Sequence, residues 1–283
     1  MNFFAFLCDT LCPLCLCGEC FYLYFSLLFP KSQILNPKSR KTIDPLHILA
    51  FGAHPDDVEI SIAGTMIKHS RLGYRIGVVD LTRGELGTRG NAEIRAAEAA
   101  QAAKGLGLTA RENLNLPDGF VESSRENRMK IIQVIRKYRP SIVLLPMEQD
   151  RHPDHGACGK LVRESCFLSG LRKIETDYPP HKPTRVFNYF LAWEHSYSFI
   201  VDISEAIKDK MEAIKCYASQ FHRPGGDDEP PTLLSRPDFL EFIEARARTY
   251  GSRIGVKYGE PFYSPAALRV DDLNGVMTGP YAA

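Results

Sequence analysis

From His47 onward, short apolar runs alternate with segments of helical periodicity, and this alternation limits the chain to few folds. The run His47–Phe51 is continuous and apolar, which is typical of a strand covered on both faces. Strands that alternate with helices over short connections form parallel βαβ units. We therefore predict an α/β, Rossmann-like fold, with a mostly parallel, doubly wound sheet, helices on both faces and an active site at the C-terminal ends of the strands.

The predicted elements follow from apolar periodicity and from capping or breaking residues. The first half of the domain alternates strictly. Strands are expected at 47–51, 74–81, 112–116 and 141–145, and helices at 57–73, 91–105, 124–138 and 155–171. The second half is less regular, with strands at 186–191 and 198–201, helices at 203–219 and 237–251, and an exposed loop at 223–231.

Two clusters of histidine and aspartate each follow a predicted strand. His54–Asp57 comes directly after the first strand, and His152–His155 comes after the fourth. In open α/β sheets the ligands bind beyond the carboxyl ends of the strands, so both clusters are expected at the same edge. Each contains His-Pro-Asp, and the proline fixes φ and stiffens the turn that carries the flanking side chains.

His54, Asp57 and His155 would supply two imidazoles and one carboxylate, the usual protein ligands of a catalytic zinc site. We predict one Zn²⁺ per chain at these residues, with Fe²⁺ as a possible substitute. Asp56 adjoins Asp57 but must point elsewhere, which suits a general base that takes a proton from the attacking water. Standing alone, the two aspartates would be interpreted as helix caps. The second cluster at another strand end favours the metal site.

His152 and Asp154 complete the predicted catalytic group. His152 is expected to stabilise the oxyanion or to protonate the leaving amine. Asp154 is expected to orient His152 or a ligand imidazole through its outer nitrogen, as carboxylates beside metal-bound histidines do.

The segment Ala53–Glu59, which reads Ala-His-Pro-Asp-Asp-Val-Glu, together with His152–His155 resembles the PIG-L/LmbE family of zinc-dependent deacetylases. The resemblance covers about residues 46–271, and both motifs are intact. It implies an amide hydrolase with the zinc ligands, base and partner histidine assigned above. The likeness extends through the segments Thr82–Arg89, Arg95–Glu98, Leu116–Gly119 and Tyr217–Phe221.

Within the family the resemblance is greatest to the deacetylases of bacillithiol biosynthesis, which implies N-acetylglucosaminyl malate as the substrate and acetate as a product. A guanidinium fork suits a malate carboxylate. The residues assigned to substrate binding on this basis are Arg95, Arg83, Arg89, Asp118 and Tyr217. For Arg95 the simpler interpretation is an ordinary helix pair with Glu98.

Other functions stay open at this level. The chain could deacetylate another N-acetylglucosaminyl conjugate or cleave a thiol-conjugate amide. A metal-dependent phosphoesterase is a more distant alternative. Two-metal sites need further bridging carboxylates to hold a second ion about 4 Å from the first, and this sequence has too few near the two clusters. A non-catalytic metal-binding protein would not need Asp56, which is not required as a ligand.

Residues 1–43 differ from the rest of the chain and hold five of its eight cysteines. We interpret them as upstream sequence from a misassigned start, with a membrane anchor or export signal and a metal or lipidation site as alternatives. The deacetylase domain is predicted at 44–274, and 275–283 is predicted to be a C-terminal tail.

The charge and the cysteine content limit the classes of binding partner and the cellular location that we expect. The 35 basic and 34 acidic side chains leave a formal charge of +1, which disfavours nucleic acid. The expected partner is a small-molecule N-acetylglucosaminide, and no membrane partner is expected unless residues 1–43 belong to the mature protein. Three scattered cysteines beyond that segment favour a reducing, cytoplasmic location. The resemblance also implies a homo-oligomer, with a hexamer as one expected form.

Overall fold

The structure is a computed structural model that describes residues 43–222 and 230–279. The predicted N-terminal extension, apart from Ile43, and most of the predicted loop 223–231 lie outside the described residues. No helix in the described part of the chain combines the length and apolarity needed to cross a membrane.

The elements are, in chain order, β1 Ile48–Gly52, α1 Asp57–Arg71, β2 Ile76–Thr82, α2 Ala92–Leu106, β3 Ala110–Leu116, α3 Arg125–Tyr138, β4 Ile142–Pro146, α4 Pro153–Leu168, β5 Arg185–Tyr189, β6 Phe199–Asp202, α5 Ile207–Lys215, α6 Phe239–Arg253 and β7 Gly259–Tyr263, followed by a 3₁₀ turn at Leu273–Gly275.

The strands form one seven-stranded sheet in the order β3-β2-β1-β4-β5-β7-β6. All pairs from β3 to β5 are parallel, whereas β7 is antiparallel to both of its neighbours. The predicted mostly parallel, doubly wound α/β fold is therefore confirmed. The order of the strands reverses between β1 and β4, and the carboxyl ends of these two adjacent strands form the switch point at which such sheets bind ligands.

The core lies on both faces of the sheet because successive side chains of a strand point to opposite sides. On β1, Ile48 and Ala50 belong to one buried cluster, and Leu49 and Phe51 belong to the other. Helices α1, α2 and α5 pack together, and α3 packs with α4. The continuous apolar run that predicted β1 is thus explained by a strand buried on both faces.

Strand β7 was not predicted from the sequence. Its residues Gly259–Tyr263 include Glu260 and Pro261, so they form neither an apolar run nor an alternation. The strand forms because β5 and β6 pair with it from either side. The predicted helix 203–219 was too long, since α5 covers only Ile207–Lys215.

The unexpected strand provides a buried carboxylate, Glu260. Its Oε1 accepts hydrogen bonds from Lys210 Nζ at 2.6 Å and from the Gly64 backbone N–H at 3.0 Å, and its Oε2 accepts from the Thr65 N–H at 2.7 Å. These two N–H groups follow Ile62, where α1 is kinked with non-helical backbone angles. Glu260 therefore satisfies donors at the kink and neutralises Lys210, and both side chains of this ion pair are only 2% exposed.

We expect Glu260→Ala to lower the free energy of unfolding by about 3–5 kcal/mol, because it leaves the Lys210 ammonium buried without its partner. Urea unfolding measures the change. The matched control is Glu212→Ala, which breaks the exposed pair with Lys215 and should cost no more than about 1 kcal/mol. Equal effects of the two substitutions would contradict a structural role for the buried pair.

Candidate active site

The turn after β1 separates the two adjacent aspartates. Asp57 is the first residue of α1, and its Oδ2 accepts hydrogen bonds from the backbone N–H groups of Ala53 and His54, both at 2.9 Å. Asp56 has φ +115°, in the left-handed region that costs energy for a residue other than glycine. Its side chain makes no capping hydrogen bond to the helix. The side chain of Asp56 therefore does not cap the helix.

Asp57 lies between the two predicted ligand histidines. Its Oδ1 is 3.3 Å from His155 Nε2, and its Oδ2 is 3.6 Å from His54 Nδ1. The outer nitrogens face other carboxylates: His54 Nε2 donates to Asp118 Oδ1 at 2.9 Å, and His155 Nδ1 donates to Asp150 Oδ1 at 2.7 Å. The outer nitrogen of each ring is held by a carboxylate, so the inner nitrogen faces Asp57 and is the one available to a metal, as in metal-bound histidines.

The charges of this cluster favour a cation. Burial opposes the charged form of His155, but the Asp57 carboxylate and the hydrogen bond to Asp150 outweigh it and raise the pKa to about 9. The pKa of His54 is likewise raised well above its usual value, because Asp118, Asp154 and Asp57 outweigh its burial. Two imidazoles and a carboxylate in a field that attracts positive charge fit a divalent ion such as zinc.

His152 offers a second way to hold a metal. The donor atoms of His54, His152 and His155 lie within 4.8 Å of one another, as do those of a set made of His54, Asp118 and Asp154. The His152 ring stacks on His155 at 4.9 Å between centroids and lies edge-on to His54 at 4.8 Å. The structure thus brings together all three predicted ligands, and it adds a three-histidine alternative that the sequence did not suggest.

His152 stays neutral in this setting. Burial and the neighbouring charges of His54 and His155 lower its pKa. Its Nδ1 accepts the backbone N–H of Asp154 at 3.2 Å, so the proton of the neutral ring lies on Nε2. Asp154 itself is 3.5 Å from His54 Nε2 and accepts the N–H groups of Gly119 and Val121.

Asp56 lies beside Arg95 and lines the same cavity as the histidines. Its Oδ2 accepts from Arg95 Nη2 at 3.0 Å, and the same Nη2 donates to the Pro55 carbonyl at 2.5 Å. Burial raises the pKa of Asp56 to about 7, and the Arg95 guanidinium opposes that rise. A carboxylate with a pKa near neutrality is matched to accept and release a proton at physiological pH.

Two residues predicted to bind substrate also hold catalytic groups in place. Arg95 lines the cavity, but its guanidinium is directed at Asp56, at the Pro55 carbonyl and at the Gly84 carbonyl 3.4 Å away. Asp118 holds His54 and also accepts the Leu86 N–H at 2.9 Å. Both residues line the cavity, and Arg95 Nε has no hydrogen-bond partner among the described residues, so their assignment to substrate binding stays a prediction.

The other three predicted substrate residues lie off the cavity. Tyr217 is fully buried in an apolar cluster, and its hydroxyl donates to Glu59 at 3.1 Å. Arg89 is buried, and its Nε donates to the Ser219 carbonyl at 3.3 Å. Arg83 is exposed and does not line the cavity. Their absence from the cavity lining argues against direct contact with a substrate there. The motif spacing does not specify these positions, because side-chain direction depends on packing.

A cavity of about 450 Å³ opens onto the histidine cluster. Its lining combines the motif residues with a larger set of apolar and aromatic side chains. Its apolar lining comprises Ile60, Leu86, Leu191, Ala192, Trp193, Leu233, Leu234, Phe239, Phe242 and Ile243. The lining also contains three arginines that the motifs did not indicate, Arg151, Arg236 and Arg246. Arg151, next to His152, could have been found from the motif; the other two come from a distant part of the chain without a motif.

Comparison with known proteins agrees with this geometry. The family described as "PIG-L: GlcNAc-PI de-N-acetylase" matches residues 49–166. Diacetylchitobiose deacetylase of Thermococcus kodakarensis is 30% identical over 249 residues, which cover 81% of this chain and 88% of that protein. A probable N-acetyl-alpha-D-glucosaminyl L-malate deacetylase of Bacillus anthracis is 27% identical over 201 residues, covering 62% of this chain and 81% of its own. A crystal structure of a conserved Thermus thermophilus protein superposes with a TM-score of 0.73 at 38% identity, over 80% of this chain and 98% of that one.

Proposed function

Because the chain belongs to the PIG-L family of N-acetylglucosamine-type deacetylases and is an amide-hydrolysing enzyme, we propose that it removes acetate from an N-acetylglucosaminide with one zinc ion held by His54, Asp57 and His155. The observation that carries the proposal is the Asp57 carboxylate between two imidazoles whose outer nitrogens are held by Asp118 and Asp150. Fe²⁺ fits the same donors, since imidazole and carboxylate ligands suit several divalent metals.

Each residue of the site has a task in this reaction. A zinc ion bound there would supply Lewis acidity for water and for the acetamide carbonyl. Asp56, held by Arg95, takes the proton of the attacking water. His152 donates a hydrogen bond from Nε2 to the oxyanion, because its Nδ1 is occupied by the Asp154 N–H. The proton that Asp56 takes from the water then passes to the departing amine, since loss of the Nε2 proton would leave the neutral His152 ring as an imidazolate.

We further propose N-acetylglucosaminyl malate as the preferred substrate. The likeness to the Bacillus anthracis protein supports this choice, and so do the arginines of the cavity lining, because guanidinium groups bind carboxylates. The second candidate is a neutral chitobiose-type disaccharide. It is favoured by the likeness to the Thermococcus kodakarensis enzyme and by the aromatic wall with Trp193 and Phe242.

A two-metal phosphoesterase has less support. Both candidate donor sets found among the described residues include His54, so one imidazole would have to serve two ions. A metal count distinguishes the reactions, since the deacetylase proposal requires one ion per chain and the phosphoesterase two.

The substrate proposal is tested with N-acetylglucosaminides that differ only in the aglycone. We expect kcat/KM for the malate glycoside to exceed that for the inositol glycoside, for diacetylchitobiose and for free N-acetylglucosamine by about 10-fold or more. One charged hydrogen bond contributes roughly 1.5–3 kcal/mol, and about 1.4 kcal/mol corresponds to a factor of ten. Equal rates on charged and neutral glycosides would refute the malate assignment and leave the zinc deacetylase proposal standing. A clear preference for diacetylchitobiose would favour the second candidate.

A further inference from the structure

Arg246, on α6, lines the cavity and is held there by backbone carbonyls. Its Nη1 donates to the Leu191 carbonyl at 2.5 Å, and its Nη2 lies 3.4 Å from the Ile60 carbonyl. The guanidinium also lies 6.0 Å from the centre of the Phe242 ring, another residue of the lining. These contacts fix the plane of the group but use only part of its five N–H donors.

Within residues 43–222 and 230–279, Arg246 makes no ion pair with a carboxylate, although it is half-buried. Two other arginines of the cavity differ in this respect, since Arg95 is paired with Asp56 at 3.0 Å and Arg236 with Asp238 at 2.6 Å. The remaining one, Arg151, is exposed to water. Burial lowers the pKa of Arg246, in agreement with a cation whose surroundings do not fully compensate its charge.

A partly desolvated cation gains free energy when an anion replaces its lost water, and a planar guanidinium suits a carboxylate. We propose that Arg246 is the anion-binding residue of the cavity and that it receives a carboxylate of the aglycone. The inference rests on the proposed function and deepens it, because it assigns the preference for a charged aglycone to one side chain. The arginines predicted from the sequence for this task are either engaged, as Arg95 is, or lie off the cavity, as Arg83 and Arg89 do.

The test compares two substrates, N-acetylglucosaminyl malate and its dimethyl ester, with the metal-loaded full chain. Arg246→Gln should lower kcat/KM for the malate glycoside by roughly 10- to 150-fold, the fold-change that corresponds to 1.5–3 kcal/mol for one charged hydrogen bond. The rate on the ester should change little. Arg246→Lys keeps the charge but loses the planar fork, so it should lose less than the glutamine variant.

The control is Arg248→Gln on the same helix. Arg248 is exposed, pairs with Glu244 and does not line the cavity, so the preference for malate over the ester should be unchanged. Thermal melting establishes that each variant folds. If Arg246→Gln is unfolded, the ratio of the two rates in Arg246→Lys decides, and an unaltered ratio overturns the proposal.

Two results separate the inference from the proposed function. A wild-type enzyme that treats malate glycoside and ester alike would overturn the malate function and the anion site with it. A wild-type enzyme that prefers malate, with the same preference in Arg246→Gln, would overturn the inference alone. Equal loss on both substrates would also overturn it, because Arg246 would then serve only the wall that contains Leu191 and Ile60.

Discussion

Replacement of His155 by alanine is expected to remove the bound metal and, with it, all measurable deacetylation. His155 belongs both to the ligand set predicted from the sequence and to the three-histidine set, so either arrangement loses an imidazole. The substitution also leaves Asp57 and Asp150 without the group that both face. Metal analysis of the purified variant should give far less than one ion per chain. Full occupancy would show that the ligands lie elsewhere.

His152→Ala is the matched control, since it removes a neighbouring imidazole of the same cluster. If Asp57 is the third ligand, this variant should keep one metal ion and lose rate. If the three histidines bind the metal, the same variant should lose the ion. The pair of substitutions therefore decides between the two donor arrangements. The distances of 3.3–3.6 Å from the Asp57 carboxylate oxygens to the imidazole nitrogens favour the arrangement in which Asp57 is the third ligand.

Asp56→Asn is expected to lower kcat by roughly 10²- to 10⁴-fold, the usual contribution of a positioned general base. Asparagine keeps the size of the side chain and can still meet Arg95, but its amide cannot take the proton of the attacking water. Because Asp56 is not one of the proposed ligands, the metal content should stay at one ion per chain. Single-turnover rates and metal analysis on the same sample separate these two effects.

Asp209→Asn is the matched control, because it makes the same substitution at a carboxylate outside the site. Asp209 is an exposed carboxylate paired with Arg71, and it does not line the cavity, so kcat should be unchanged. Near-normal turnover in Asp56→Asn would remove Asp56 from the mechanism. Loss of metal in that variant would instead assign Asp56 to the ligands.

Much of the fold could be predicted because it depends on local pattern. The apolar run of β1 is continuous because the strand is buried on both faces. Asn91 and Ser124, which begin predicted helices, each cap one with a side-chain hydrogen bond. Strand β7 escaped prediction because its five residues carry no apolar pattern and are ordered by strands more than 50 residues away.

The sequence by itself determined that His54, Asp57 and His155 meet, since each follows a strand end and the parallel sheet brings those ends to one edge. Only the tertiary structure decided what surrounds them. Asp118 and Asp150 hold the imidazoles, and Arg95 pairs with Asp56 at the edge of the cavity. The physical reason is that a residue's position along a strand or loop follows from local chain geometry. The direction of a long polar side chain depends instead on the donors, acceptors and charges that distant segments bring to it.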